Sequence, residues 1–229
     1  MSYNTIKRPD FSEYVIHFTK DADPFSTSQD KEGLTKGIAK TTAEQRLKSI
    51  LADKRIRSTK MPWTNKPAVC FTECTWGSLL DHADHYSRFG IGFKKSFLFK
   101  HDGGPAIYLT PALLEYQKAF VGIDKLPFDP KLFAFITPFA PPYATKEYKN
   151  KYWKKNKYID YSHEREWRVP HDLDFEFSDI AFIIVPSYEA MARSSRSFKD
   201  ATGRDNWLIM DNYQRIETFW PVHQLKIKT

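Results

Sequence analysis

Ser162-His163-Glu164-Arg165-Glu166-Trp167-Arg168-Val169 places two carboxylates at i and i+2 in a run that reads as a β-strand. Period-2 geometry sends Glu164 and Glu166 to one face and Arg165 and Trp167 to the other. Two like charges side by side on a sheet face repel, so the pair adds no stability by itself. It points to a cationic ligand, a sugar with hydroxyls to hold, or acid/base work. The competing reading is an exposed strand whose charges are solvated.

Around that strand the chain alternates short extended runs with helices. Residues 14–19, 68–72, 91–93, 106–109, 132–136 and 181–185 read as strands, with shorter extended pieces at 55–57, 207–210 and 215–219. Thr42 followed by Gln45 is a capping box opening a helix with Leu47, Ile50 and Leu51 on one face. Further helices are expected over 76–86, from Pro111 through Phe120, and from Ser187 to about residue 197. The strands follow no βαβ rhythm, which argues against a doubly wound parallel sheet. The expectation is an α+β fold: two small, mostly antiparallel sheets around a cleft, with helices to the side. One domain spans 1–229, with residues 20–40 as a flexible loop.

The 229 residues carry a net charge of +7, and 16% of them are aromatic, a composition of a folded core and not of disorder. No apolar run is long enough to span a membrane and no signal segment opens the chain, so a cytoplasmic protein is expected. Cys70 and Cys74, spaced C-x3-C with no second pair, read as reduced thiols and not as a metal site. Lys149, Lys151, Lys154 and Lys155 are interleaved with Trp153 and neighbouring tyrosines. Such a stretch neutralises phosphates and stacks on unpaired bases, or else forms a solvated helix with its tyrosines in the core. No dinucleotide-binding glycine motif, P-loop or nucleophile elbow is present.

Two further constellations carry chemistry. Tyr14-x-x-His17-Phe18-Thr19 sets a ring nitrogen and a hydroxyl on one strand face, able to hold an amide or a ribose hydroxyl. Arg57, after the Leu47–Arg57 helix-to-strand passage, is a guanidinium able to fork onto a diphosphate. A lone structural histidine and a surface cation are the corresponding bland readings. Phe89-Gly90-Ile91-Gly92-Phe93 suggests backbone packed closely against a neighbour.

In order, Tyr-x-x-His-Phe-Thr, the Leu-x-x-Ile-Leu helix, Cys70-Phe71-Thr72-Glu73, Phe-Gly-Ile-Gly-Phe and Glu-Arg-Glu-Trp-Arg-Val resemble the AbiGi-like abortive phage-resistance proteins. More distantly the same landmarks resemble ADP-ribosyltransferases of the Glu-x-Glu type, and the opening motif resembles DarT-like toxins. The second resemblance implies NAD as substrate, with Tyr14, His17, Thr19 and Arg57 contacting it. Glu166 would then stabilise the ribosyl cation, and Glu164 would orient or deprotonate the acceptor. The leading expectation is therefore an NAD-dependent ADP-ribosyltransferase toxin of an anti-phage system. It would modify nucleic acid, RNA ahead of DNA, and be held silent by an antitoxin protein. The alternatives are a non-catalytic antitoxin or binding partner and, third, a metal-dependent nuclease.

Overall fold

The computed structural model describes residues 12–21, 41–73, 86–110, 112–113, 130–139, 160 and 162–212. Their strands are β1 (Tyr14–Phe18), β2 (Arg55–Ile56), β3 (Thr59–Lys60), β4 (Pro67–Thr72), β5 (Gly90–Lys94) and β6 (Gly104–Pro105), continuing with β7 (Ile107–Leu109), β8 (Ile136–Pro138), β9 (Glu166–Val169), β10 (Leu173–Asp174), β11 (Ile180–Val185) and β12 (Trp207–Ile209). The α-helices are α1 (Ala43–Asp53), α2 (Lys95–Phe99), α3 (Tyr188–Arg193) and α4 (Arg196–Thr202).

One sheet of eight strands organises these residues, in the order β12-β11-β5-β1-β4-β9-β6, with β3 also paired to β4. It is antiparallel except where β11 meets β12. Two small ladders, β10 with β2 and the parallel β7 with β8, stand beside it. The fold is thus mixed, with a large sheet and few helices. The expected pair of small sheets facing across a cleft is corrected to a single sheet that splits. β1 follows β5 through five register pairs, from Tyr14↔Lys94 to Phe18↔Gly90, but meets β4 at one, Ile16↔Thr72. Beyond that pair β1 and β4 part, and the His17 ring, 2.9 Å from the Cys70 carbonyl, bridges the gap in place of backbone.

Period-2 alternation gives the sheet two unlike faces. Val15, Val69, Phe71, Ile91, Phe93, Trp167, Val169, Ile183 and Val185 join Leu47 and Leu51 of α1 in the main core. On the opposite face Ile16, Ile184 and Met210 pack with Phe18, Phe182 and Leu208. There the two glycines of β5 leave the backbone bare. A Cβ at Gly92 would lie 2.4 Å from the Phe182 ring, so the aromatic ring occupies the space a side chain would need.

Local signals explain most boundaries. The Thr42 hydroxyl accepts from Gln45 N while the Gln45 side chain accepts from Thr42 N, and α1 ends where Lys54 turns left-handed. The helix expected after Ser187 is two helices, because Ser195 accepts from Phe198 N and caps a second one. The expected strand over 132–136 is instead a 3-10 turn, Pro130–Ala134, followed by β8. A short apolar run does not distinguish the two by periodicity. The glutamate strand is also shorter than expected. Ser162–Glu164 is a 3-10 turn, Arg165 takes a left-handed φ of 44°, and β9 begins at Glu166. The expected loop over 22–40, the helices expected over 76–85 and 114–120, the extended piece at 215–219 and Cys74 lie outside the described residues.

Candidate functional site: a two-lobed cavity at the split in the sheet

Where β1 and β4 part, a cavity of about 300 Å³ opens on the face opposite the main core. β9 supplies Glu166 and Arg168, whose cross-strand partners on β4 are Thr72 and Cys70. All four line it, together with Glu164, His17 and Phe18. Met61, Pro62 and Trp63, from the β3–β4 connection, and Tyr86 complete the walls. Although Glu164 precedes the strand, the left-handed turn at Arg165 returns its carboxylate to the same cavity as Glu166.

The two acids are held differently. Arg168 Nε donates to Glu166 Oε1 at 2.9 Å and its Nη2 to Oε2 at 2.7 Å, a two-point fork. Its remaining hydrogens go to the carbonyls of Ala134 and Ile136 and to the Thr137 hydroxyl. Arg168 is completely buried with every donor used. Burial alone would lower its pKa, but the bonds and charge of Glu166 outweigh that and hold it above the usual arginine value. Glu164 accepts from the Tyr86 hydroxyl at 2.6 Å. Burial and then this bond push the Tyr86 phenol well up.

His17 is half-buried, and burial lowers its pKa below the usual 6.5. Because a carbonyl only accepts, its contact with Cys70 makes Nδ1 the donor and leaves Nε2 as the acceptor of the neutral ring. Burial first, and the Glu166 charge second, raise the Cys70 thiol well above its usual value. A protonated thiol in this setting is not an activated nucleophile. What the cavity offers is a set of acceptors, the carboxyl groups of Glu164 and Glu166 and the His17 imidazole, among aromatic walls.

A second cavity of about 260 Å³ lies between the end of β1, α1 and the β2–β3 segment, and shares His17, Phe18 and Tyr86 with the first. Its lining includes Lys20, Arg46, Arg55 and Arg57 against a single acid, Asp53. Arg55 forks onto Asp174, and Arg57 Nη2 is 3.8 Å from Asp53. The split therefore joins an acidic lobe to a basic one.

Of the residues singled out in the sequence, Glu164, Glu166 and His17 meet in the first lobe, and His17, Thr19 and Arg57 line the second. The Thr19 hydroxyl is committed to backbone, donating to the Ala43 and Phe89 carbonyls at 2.9 and 3.2 Å. Tyr14 is placed elsewhere. Its ring lines neither lobe and meets Phe182 instead, at 5.6 Å. Lys149, Lys151, Trp153, Lys154 and Lys155 lie outside the described residues. Arg168 was missed, although the rule that paired the glutamates also puts residue 168 on the face of Glu166. Trp63 and Tyr86 carried no such signal, since they reach the cavity from connections between strands.

Among the described residues no group of three or more His, Cys, Asp or Glu side chains is placed to hold a metal ion. Among the same residues no helix is long and apolar enough to cross a membrane. No curated protein and no solved structure matches the chain. A family model described as "Putative abortive phage resistance protein AbiGi, antitoxin" matches residues 36–206. That description overturns the leading expectation of a transferase toxin guarded by a separate antitoxin, and favours the alternative, a chain on the antitoxin side of the pair. The match covers well over half of the 229 residues, so the chain belongs to the AbiGi family of abortive phage-resistance proteins.

Proposed function

We propose that this chain is the antitoxin of an abortive phage-resistance pair and acts by binding, without catalysing a reaction, to oppose a toxin. The match to the AbiGi antitoxin family over residues 36–206 carries the reading. The site geometry supports its non-catalytic part. Glu166 is engaged on both oxygens by a buried arginine, Glu164 receives a phenol hydrogen, and the neighbouring thiol is held protonated. A carboxylate anchored by a guanidinium that also stitches three other groups is suited to fixing structure or a ligand.

The test is growth. Expressed alone, the chain leaves a host growing normally, and expressed with the growth-arresting gene of its own defence locus it restores growth. Glu166→Gln protein that still folds restores growth as well, because no catalytic carboxylate is required. Growth arrest by the chain alone would overturn the antitoxin reading. Rescue lost with folded Glu166→Gln protein that still binds the toxin as tightly as the parent would overturn its non-catalytic part.

A further inference from the structure

We infer that the two-lobed cavity at the β1/β4 split is a binding site for a free nucleoside monophosphate, with the phosphate in the basic lobe and the nucleoside in the acidic one. This goes beyond the antitoxin reading and does not depend on it. Three observations converge. The lobes, about 300 and 260 Å³, adjoin through the shared side chains of His17, Phe18 and Tyr86, and together fall within the range of small-ligand clefts. Their charges are opposed. Lys20, Arg46, Arg55 and Arg57 line one with Asp53, and Arg55 is also forked onto an acid outside it, Asp174, whereas the other holds two carboxylates against one guanidinium. Finally, the walls of the acidic lobe include the flat rings of Trp63, Phe71, Phe18 and Tyr86.

That pattern suits a ligand with an anionic end and a planar, hydrogen-donating end. Guanidinium groups fork onto phosphate oxygens, and two that line this lobe differ in exposure: Arg46 is half-buried and Arg57 exposed. At the other end Glu166 Oε2 already takes Arg168 and, at 3.4 Å, the Thr137 hydroxyl, so the acceptor position beyond the fork is on Oε1. Glu164 and Glu166 are 9% and 8% exposed, so a hydrogen bond from a base N–H or a ribose hydroxyl would form largely out of water, where it is strongest. Neutral His17, with Nε2 as acceptor, stands at the junction of the lobes.

Calorimetric titration of the full chain with AMP, GMP, adenosine, inorganic phosphate and a 5′-phosphorylated oligonucleotide tests this. Both nucleotides are expected to bind at least about tenfold more tightly than adenosine. In an Arg46→Gln/Arg57→Gln variant that advantage disappears while adenosine binding persists. Glu164→Gln weakens adenosine and nucleotides alike. If that variant fails to fold, the arginine variant decides alone, since it changes only a half-buried and an exposed side chain. No heat from either nucleotide would sink the proposal. So would nucleotides no tighter than adenosine, phosphate alone as tight as AMP, or binding confined to the oligonucleotide.

Discussion

Two buried ion pairs flank Trp167, one on each face of the sheet, and they are built to different ends. On the cavity face Arg168 reaches Glu166 at 2.7 Å; on the core face Lys95 reaches Glu73 at the same distance. The lysine pair is a local clasp. Glu73 also accepts from the Trp167 indole and from Ser12 N, and the Lys95 ammonium lies 5.0 Å above the Trp167 ring. The clasp ties the end of β4 to the start of α2. The arginine pair is a hub, since the same guanidinium also holds the carbonyls of Ala134 and Ile136 and the Thr137 hydroxyl. It thereby fastens β9 to the β8 segment and makes the floor of the acidic lobe. A point charge can be exchanged for apolar bulk together with its counter-charge, but a planar fork serving four residues cannot.

The largest expected effect follows from the hub. Arg168→Met leaves Glu166 buried without its counter-charge and strips donors from two carbonyls, at a cost of about 3–5 kcal/mol in urea unfolding. Arg168→Lys recovers only part of this, because one ammonium cannot fill five hydrogen-bond positions. The clasp should behave otherwise. Glu73→Gln/Lys95→Met keeps an acceptor for the Trp167 indole and removes both charges together, so stability stays within about 1 kcal/mol of the parent. Equal losses for the two variants would break the distinction between hub and clasp.

The hub and the clasp also differ in how far the sequence discloses them. The octapeptide from Ser162 to Val169 holds Glu166, Trp167 and Arg168 in one strand, and period-2 reasoning suffices to put the first and third together. Glu164 joins them for a reason periodicity does not contain, a left-handed residue at Arg165, which a non-glycine side chain does not advertise. Glu73 and Lys95, with Trp63 and Tyr86, meet their partners across long sequence separations, so the register of the whole sheet had to be known first. The capping box at Thr42 and the bare glycines of β5 were legible because each acts on its immediate neighbours. The split between β1 and β4 was not, because it arises from one strand having two partners of unequal reach.

The smallest expected effect concerns the residue that bridges this split, and its sign is fixed by the direction of its shift. Burial lowers the pKa of His17 in the folded chain below the 6.5 of the unfolded one. Between those values the unfolded chain binds more protons, so stability is greatest above 6.5 and falls as the pH drops through it. Glu44 does not confuse the measurement. Its hydrogen bonds to Arg193 lower it from 4.5 to about 2, so its contribution is complete above 4.5 and is lost only in stronger acid. Thermal melts compared between about pH 7.5 and 5.5 should therefore show a decline in the parent that is smaller in His17→Gln, whose amide still donates to the Cys70 carbonyl but does not titrate. An identical decline in both proteins would mean that the imidazole at the seam is not the group responding to acid.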